Sequence, residues 1–151
     1  MERILKETLP QGVFRKVPAF RSRMMRSVRS RGNRTTEGRL RAVLTRAGLR
    51  GWKIQPPDVL GNPDFFFTQQ RVALFVDGCF WHCCRKCGHF PRTNARFWRT
   101  KLERNRRRDL ATTQRLRSRG IQVIRIWEHE LHAKRNRIVT KLLIRLHAGG
   151  A

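Results

Sequence analysis

The four cysteines of the chain are Cys79, Cys83, Cys84 and Cys87. A disulfide framework spreads its cysteines to join distant segments. A cluster this tight reads instead as thiolate ligands for a metal in a reducing compartment, which makes the cytoplasm the expected location. Cys79-x4-Cys84-x2-Cys87 offers three thiolates from one loop, and a tetrahedral structural zinc then needs a fourth sulfur or imidazole donor. His129 is the leading candidate, because it follows a strand-like stretch that ends at Trp127. His82 and His89 are its rivals, and Cys83 is a surplus thiol.

A second set of residues suits a harder cation. Asp64 follows the turn Gly61-Asn62-Pro63 and opens a run of phenylalanines, while Asp77 closes an apolar run ending at Val76. Carboxylates at the ends of adjacent buried strands can approach each other and offer oxygen ligands. Phosphodiester hydrolysis needs a divalent cation to neutralise the transferring phosphate and a base to activate water. Asp64 with Mg²⁺, and His82 close by, meets that requirement. The plainer alternatives are an Asp that ends a turn and a histidine that binds zinc.

The chain has 35 Lys and Arg against 10 Asp and Glu, a net charge of +25. Such a surface attracts polyanions, of which nucleic acid is the commonest. A ribosomal protein would carry similar charge, so this feature selects a partner and not an activity. No apolar run is long enough to span a bilayer. The first twenty residues lack the apolar core of a secretion signal. Residues 1–21 are expected to form a basic, flexible arm, and residues 22–148 a single domain.

These residues need elements to position them. A first helix is expected near Ser22 to Arg29. A second begins at Thr35 or Thr36 as cap, carries the stripe Leu40, Val43, Leu44 and Ala47, and closes at Gly48. Trp52 to Gln55 reads as a short strand, followed by a Pro- and Gly-marked loop from Pro56 to Pro63. Asp64 to Phe67 and Arg71 to Val76 read as a hairpin turned by Thr68 to Gln70. The cysteines then lie on a loop from Asp77 to Arg92. A long helix from about Asn94 to Arg119 shows Phe97, Trp98, Leu102, Leu110 and Leu116 on its apolar face and a basic run from Arg104 to Arg108 on the other. Ile121 to Trp127 is a core strand, and Ile138, Val139, Leu142, Leu143 and Leu146 mark a final amphipathic helix. The order α–β–β–β–α–β–α predicts an α/β fold, a mixed sheet flanked by helices.

Five stretches, taken together, carry a resemblance. They are Arg23 to Arg31 with Glu37, Leu60-Gly-Asn-Pro-Asp-Phe65, Phe75-Val-Asp-Gly-Cys-Phe-Trp-His82, Pro91 to Arg106 running on to Asp109, and Val123-Ile-Arg-Ile-Trp-Glu-His129. In order and spacing, over about residues 22 to 132, they resemble the very short patch repair endonucleases. The resemblance implies a restriction-endonuclease-like mixed sheet stapled by a structural zinc. It implies a Mg²⁺-dependent nick 5′ to the thymine of a T:G mismatch, of the kind left by deaminated 5-methylcytosine. Double-stranded DNA with that mismatch is the implied partner, with mismatch-repair proteins as further candidates, and the enzyme is expected to act as a nucleoid-associated monomer.

Carried over by position, the resemblance makes Asp64 the metal-binding aspartate, His82 the catalytic histidine and Glu37 a helix carboxylate near the site. It sets the backbone carbonyl of Val76 beside Mg²⁺ and Asp77 within the catalytic group. Cys79, Cys84, Cys87 and His129 become the zinc ligands. Phe80, Trp81 and Trp98 become the aromatics that wedge into the base stack, which a mispaired step makes cheap to open. The chain departs from the family pattern at four places. Asp77 stands where some members have histidine, Cys87 and His129 exchange the usual residue types, Cys83 replaces a small residue, and Asn62 replaces the usual arginine before Pro63-Asp64. Two other readings compete: a nickase of the same fold with another DNA target, and a zinc module that binds nucleic acid without cutting it.

Overall fold

The computed structural model describes residues 36–132 together with Thr140, Leu142, Ile144 and Leu146. The helix expected near Ser22 to Arg29, the N-terminal arm, and Ile138, Val139 and Leu143 lie outside the described residues. In chain order the elements are α1 (Glu37–Arg46), β1 (Trp52–Ile54), β2 (Phe65–Phe67), β3 (Val72–Asp77), α2 (Ala95–Ser118), β4 (Gln122–Trp127) and a 3₁₀ turn (Glu128–His132). Thr140, Leu142, Ile144 and Leu146 are helical, as the final amphipathic stripe predicts.

The four strands form one sheet in the order β1-β2-β3-β4. β1 and β2, and β2 and β3, pair antiparallel, while β4 runs parallel to β3. A parallel neighbour requires a crossover, and α2 supplies it. The result is the mixed, helix-flanked sheet expected of a restriction-endonuclease-like fold.

Strand alternation sends side chains to two cores. On one face, Phe65, Phe67, Val72, Leu74, Ile124 and Ile126 pack with Leu40 and Leu44 of α1 and with Leu142 and Leu146. On the other, Phe66, Ala73, Phe75 and Val123 pack under Leu116 of α2. With both faces covered, all three residues of β2 can be phenylalanine and buried. Each fully buried Phe, Leu or Ile contributes about 1.5–3 kcal/mol from removal of apolar surface, so the sheet is a firm platform for what its ends carry.

Three expectations need correction. Thr36 occupies the N-cap of α1 but makes no side-chain capping bond, because its backbone is already near helical at φ −98° and ψ −53°. Asp64 lies one residue before β2 and does not open it. Leu110 is 55% exposed and leaves the apolar face of α2. The buried row runs through Leu102 and Leu116. Two turns separate each end of that row from position 109, so Asp109 holds the inward place and Leu110, a step further round, faces out.

Candidate active site and metal centre

The parallel pairing of β3 with β4 sets Asp77 opposite Trp127. The loop after β3 and the 3₁₀ turn after β4 therefore leave the sheet side by side. His129 Nδ1 lies 3.3 Å from Cys79 Sγ, 3.5 Å from Cys84 Sγ and 3.4 Å from Cys87 Sγ, and the last two sulfurs are 3.5 Å apart. A tetrahedral zinc with Zn–S of about 2.3 Å and Zn–N of about 2.0 Å has donor-to-donor edges of about 3.5–3.8 Å, close to this arrangement. Among the described residues these four make the one group of three or more donors able to share a metal ion. Mutual crowding supports the same reading: the Cys79 thiol, burial and Cys84 push Cys87 up to about 12. Thiolates this close call for a shared cation. His82, His89 and Cys83 lie outside the group.

Backbone bonds shape this loop before any metal does. Cys84 N–H donates to the Cys79 carbonyl and Gly88 N–H to the Cys84 carbonyl, both at 2.9 Å. Cys83 takes a left-handed φ of 56° and is exposed, outside the donor group. The Cys79 N–H donates to Glu128 Oε2 at 3.2 Å, a further tie between the two segments.

Between Cys79 and Cys84 the loop presents Phe80, Trp81 and His82. Phe80 meets Trp81 and Trp98 edge-on, at ring-centroid distances of 5.1 Å and 5.2 Å. Trp81 and Trp98 are 6.0 Å apart. The three expected wedge residues thus form one half-buried cluster. Lys101, one turn along α2 from Trp98, sets its ammonium 5.1 Å from the Trp81 ring and 5.5 Å from the Trp98 ring. Burial lowers its pKa from the ordinary lysine value.

His82 turns inward. Its Nδ1 lies 2.5 Å from Asp109 Oδ2 and 3.8 Å from Asp77 Oδ1. Burial works against the Asp109 charge, but His82, Arg125 and Arg108 outweigh it and hold the carboxyl below its ordinary range. Asp77 is buried, and both its oxygens accept from Arg125: Nε at 2.7 Å and Nη2 at 2.6 Å. Any part it plays is thus held through Arg125. These four residues line a cleft of about 550 Å³ with Arg85, Lys86 and Arg106 also on its wall.

Asp64 is reached from the other side of the strand end. Its Oδ2 accepts from the Val76 N–H at 2.7 Å. Burial pushes Asp64 up to about 6, against that hydrogen bond, and the Glu37 and Asp77 carboxylates raise it further. Glu37, on the first turn of α1, accepts from Gln55 Nε2 at 2.8 Å. A half-buried carboxylate whose neighbours are also anionic suits a divalent cation. Mg²⁺ commonly takes one or two protein carboxylates and completes its shell with water and substrate phosphate.

The family model for the DNA mismatch endonuclease Vsr matches residues 13–88, which include Asp64, Asp77, His82 and all the cysteines. The chain belongs to the Vsr family. It is 43% identical over 116 residues to the Type II nicking enzyme V.NaeI of Lentzea aerocolonigenes, covering 74% of this chain and 69% of that one. It is 37% identical over 116 residues to the Type II nicking enzyme V.XorIIP of Xanthomonas oryzae pv. oryzae, covering 76% and 83%. It is 36% identical over 118 residues to the DNA mismatch endonuclease Vsr of Escherichia coli, covering 77% and 74%. This Vsr-family chain is accordingly a DNA endonuclease, and no helix among the described residues is long and apolar enough to cross a membrane.

Two residues that meet His82 and Asp77 in this cleft were not singled out from sequence. Asp109 sits inside an arginine-rich helix, where a carboxylate reads as a surface partner for the arginines. The signal was its place midway between Leu102 and Leu116 on the inward row. Arg125 interrupts a core strand between Ile124 and Ile126, and a charge at such a position requires a buried partner.

Proposed function

We propose that this endonuclease nicks duplex DNA 5′ to the thymine of a T:G mismatch, acting as a monomer with zinc as a structural ion and Mg²⁺ as the catalytic one. The observation that supports it most is the convergence at one sheet end of a half-buried Asp64, a His82 paired with Asp109, and a half-buried aromatic cluster.

In this reading Asp64 and the carbonyl of Val76 hold Mg²⁺, with Glu37 adding negative charge nearby. Mg²⁺ supplies charge neutralisation on the phosphate and lowers the pKa of bound water. Asp109 occupies Nδ1 of His82, which leaves Nε2 to accept a proton from the attacking water. Asp77 keeps Arg125 in place beside that pair. Phe80, Trp81 and Trp98 enter the stack at the mispaired step, where the cost of opening is lowest. The exposed arginines along α2, Arg104 and Arg106 to Arg108, track the phosphate backbone.

A second reading keeps the chemistry and changes the target. Two of the relatives above are named Type II nicking enzymes, and Asn62 alters the turn that delivers Asp64, so the flanking sequence can differ. The deciding assay uses two labelled duplexes, identical except for T:G in place of C:G, with Mg²⁺, wild type and Asp64→Ala. A nick confined to T:G and lost in Asp64→Ala, with DNA binding and zinc kept, is the expected result. Nicking of both duplexes would discard the mismatch role, and an active Asp64→Ala would remove the metal assignment.

A further inference from the structure

β4 brings one charged side chain, Arg125, to the sheet face covered by α2. Three contacts fix its guanidinium. Nε and Nη2 grip both oxygens of Asp77 at 2.7 Å and 2.6 Å, Nη2 reaches Asp109 Oδ1 at 3.5 Å, and the group lies over the Phe75 ring 5.1 Å from its centroid. Asp109 in turn presents its other oxygen, Oδ2, to His82. We propose that Arg125 is a positioning residue for the nicking reaction, clamped by Asp77 so that it fixes the carboxylate that orients His82. This rests on the reading of His82 as the base.

Stability alone gives no reason for the arrangement. Burial works against the Arg125 charge, and Asp77 and Asp109 are what restore it above its ordinary value. A buried pair of this kind adds little over an apolar pair of similar volume. What it does supply is direction. Both oxygens of Asp77 are engaged by one guanidinium, and ring contact with Phe75 sets the plane of that group. Its Nη2 therefore meets Asp109 from a single direction. Asp109 is held between a cation on the sheet and an imidazole on the zinc loop, and Arg108 of its own helix is a more distant third partner at 3.9 Å. A lysine at this position has neither the fork nor the flat face.

The test is single-turnover nicking, at saturating enzyme, of the duplex that wild type cuts, with DNA affinity, zinc content and thermal midpoint measured alongside. Arg125→Met is expected to slow nicking about tenfold to a hundredfold, part of the factor that general base catalysis provides. DNA affinity should stay within about threefold, since the guanidinium acts on the rate and not on binding. Asp77→Asn combined with Arg125→Met leaves no unpaired buried charge; it should regain thermal stability and stay slow. Arg125→Lys should likewise keep stability and lose rate. Asp109→Asn should be slow as well, and adding Arg125→Met to it should cost nothing more, because both act through one contact.

Wild-type nicking by the Asp77→Asn, Arg125→Met pair would overturn the proposal, since Arg125 would then serve only to neutralise Asp77. A fall in DNA affinity that matches the fall in rate would overturn it too, by making Arg125 a DNA contact. Wild-type nicking by His82→Ala would overturn the reading of His82 itself, a failure distinct from one confined to the Arg125 variants.

Discussion

The two metal-suited regions of this molecule are built on opposite principles. At the cysteine loop, three sulfurs and an imidazole stand at tetrahedral spacing, tied by backbone bonds within the loop and by Glu128 across to β4. At the Asp64 end, a half-buried carboxylate lies near two other carboxylates and accepts from the Val76 N–H, and burial pushes it up to about 6. The first region has a full set of four donors within the protein. The second carries a carboxylate that burial and neighbouring anions make costly to ionise. A site that must take and release a phosphate is better left short of partners, whereas a staple is better left with none missing.

Removing the staple should produce the largest effect. Apparent zinc affinities of about 10–16 kcal/mol in small domains exceed the whole stability of many domains of this size. Cys84→Ser, or a strong chelator, is expected to release zinc and lower the thermal midpoint sharply. Nicking should be lost with it, since Phe80, Trp81 and His82 lie between two ligands. Cys83→Ser should change neither zinc content nor midpoint, because Cys83 stands outside the ligand group. Equal loss in both variants would break the ligand assignment and with it one half of the contrast.

The other half is tested by pH. The folded-state pKa of Asp64 is about 6 against an ordinary 3.8, so ionisation costs the fold. Below about pH 3 the carboxyl is protonated in both folded and unfolded chains and almost no cost arises. As pH rises toward 6 the unfolded chain ionises first and stability falls; above 6 the cost is constant at about 3 kcal/mol at most. Asp64→Asn mimics the protonated form. It should match wild type near pH 3 and be the more stable protein at pH 8, by thermal or urea unfolding without divalent cation. Adding Mg²⁺ at pH 8 should narrow the gap by stabilising wild type alone. An asparagine variant no more stable at pH 8 would show that Asp64 is comfortable as an anion.

How far each region could be read from sequence follows from the same contrast. The cysteine loop was legible because soft ligands cluster in the chain as they do in space. Only His129 is remote, and the register of Asp77 with Trp127 is what brings its strand beside β3. The order of elements, and with it a mixed sheet, was legible from the three strand-like stretches after Gly48 and from the long helix before the last strand. Asp64 and Asp77 were legible as strand-end carboxylates, but not their partners. Whether Asp77 is free or clamped depends on a side chain 48 residues away on the parallel strand. Asp109 was hidden by its neighbours: among four arginines a carboxylate looks like a surface partner, and only the seven-residue row through Leu102 and Leu116 turns it inward.

A matched pair of glycines offers the finest comparison of the two regions. Gly88 closes the cysteine loop, where an added Cβ would stand 2.5 Å from the Cys84 carbonyl oxygen and 3.1 Å from that of Cys79. Both neighbours are backbone and cannot yield without moving the ligands. Gly61 serves the Asp64 turn with a φ of 81°, and its Cβ would run into the Thr112 methyl group of α2. Each Gly→Ala change is expected to cost about 1–2 kcal/mol, from crowding in the first case and from crowding with left-handed strain in the second. The sizes should be similar and the consequences should not. Gly88→Ala should weaken zinc retention in a chelator competition while leaving Mg²⁺ dependence at full zinc loading as in wild type. Gly61→Ala should keep zinc and raise the Mg²⁺ concentration needed for half-maximal nicking, because the turn Gly61-Asn62-Pro63 carries Asp64 directly. If both variants moved zinc and Mg²⁺ together, the two regions would be one cooperative unit, and the division between a closed staple and an open site would fail.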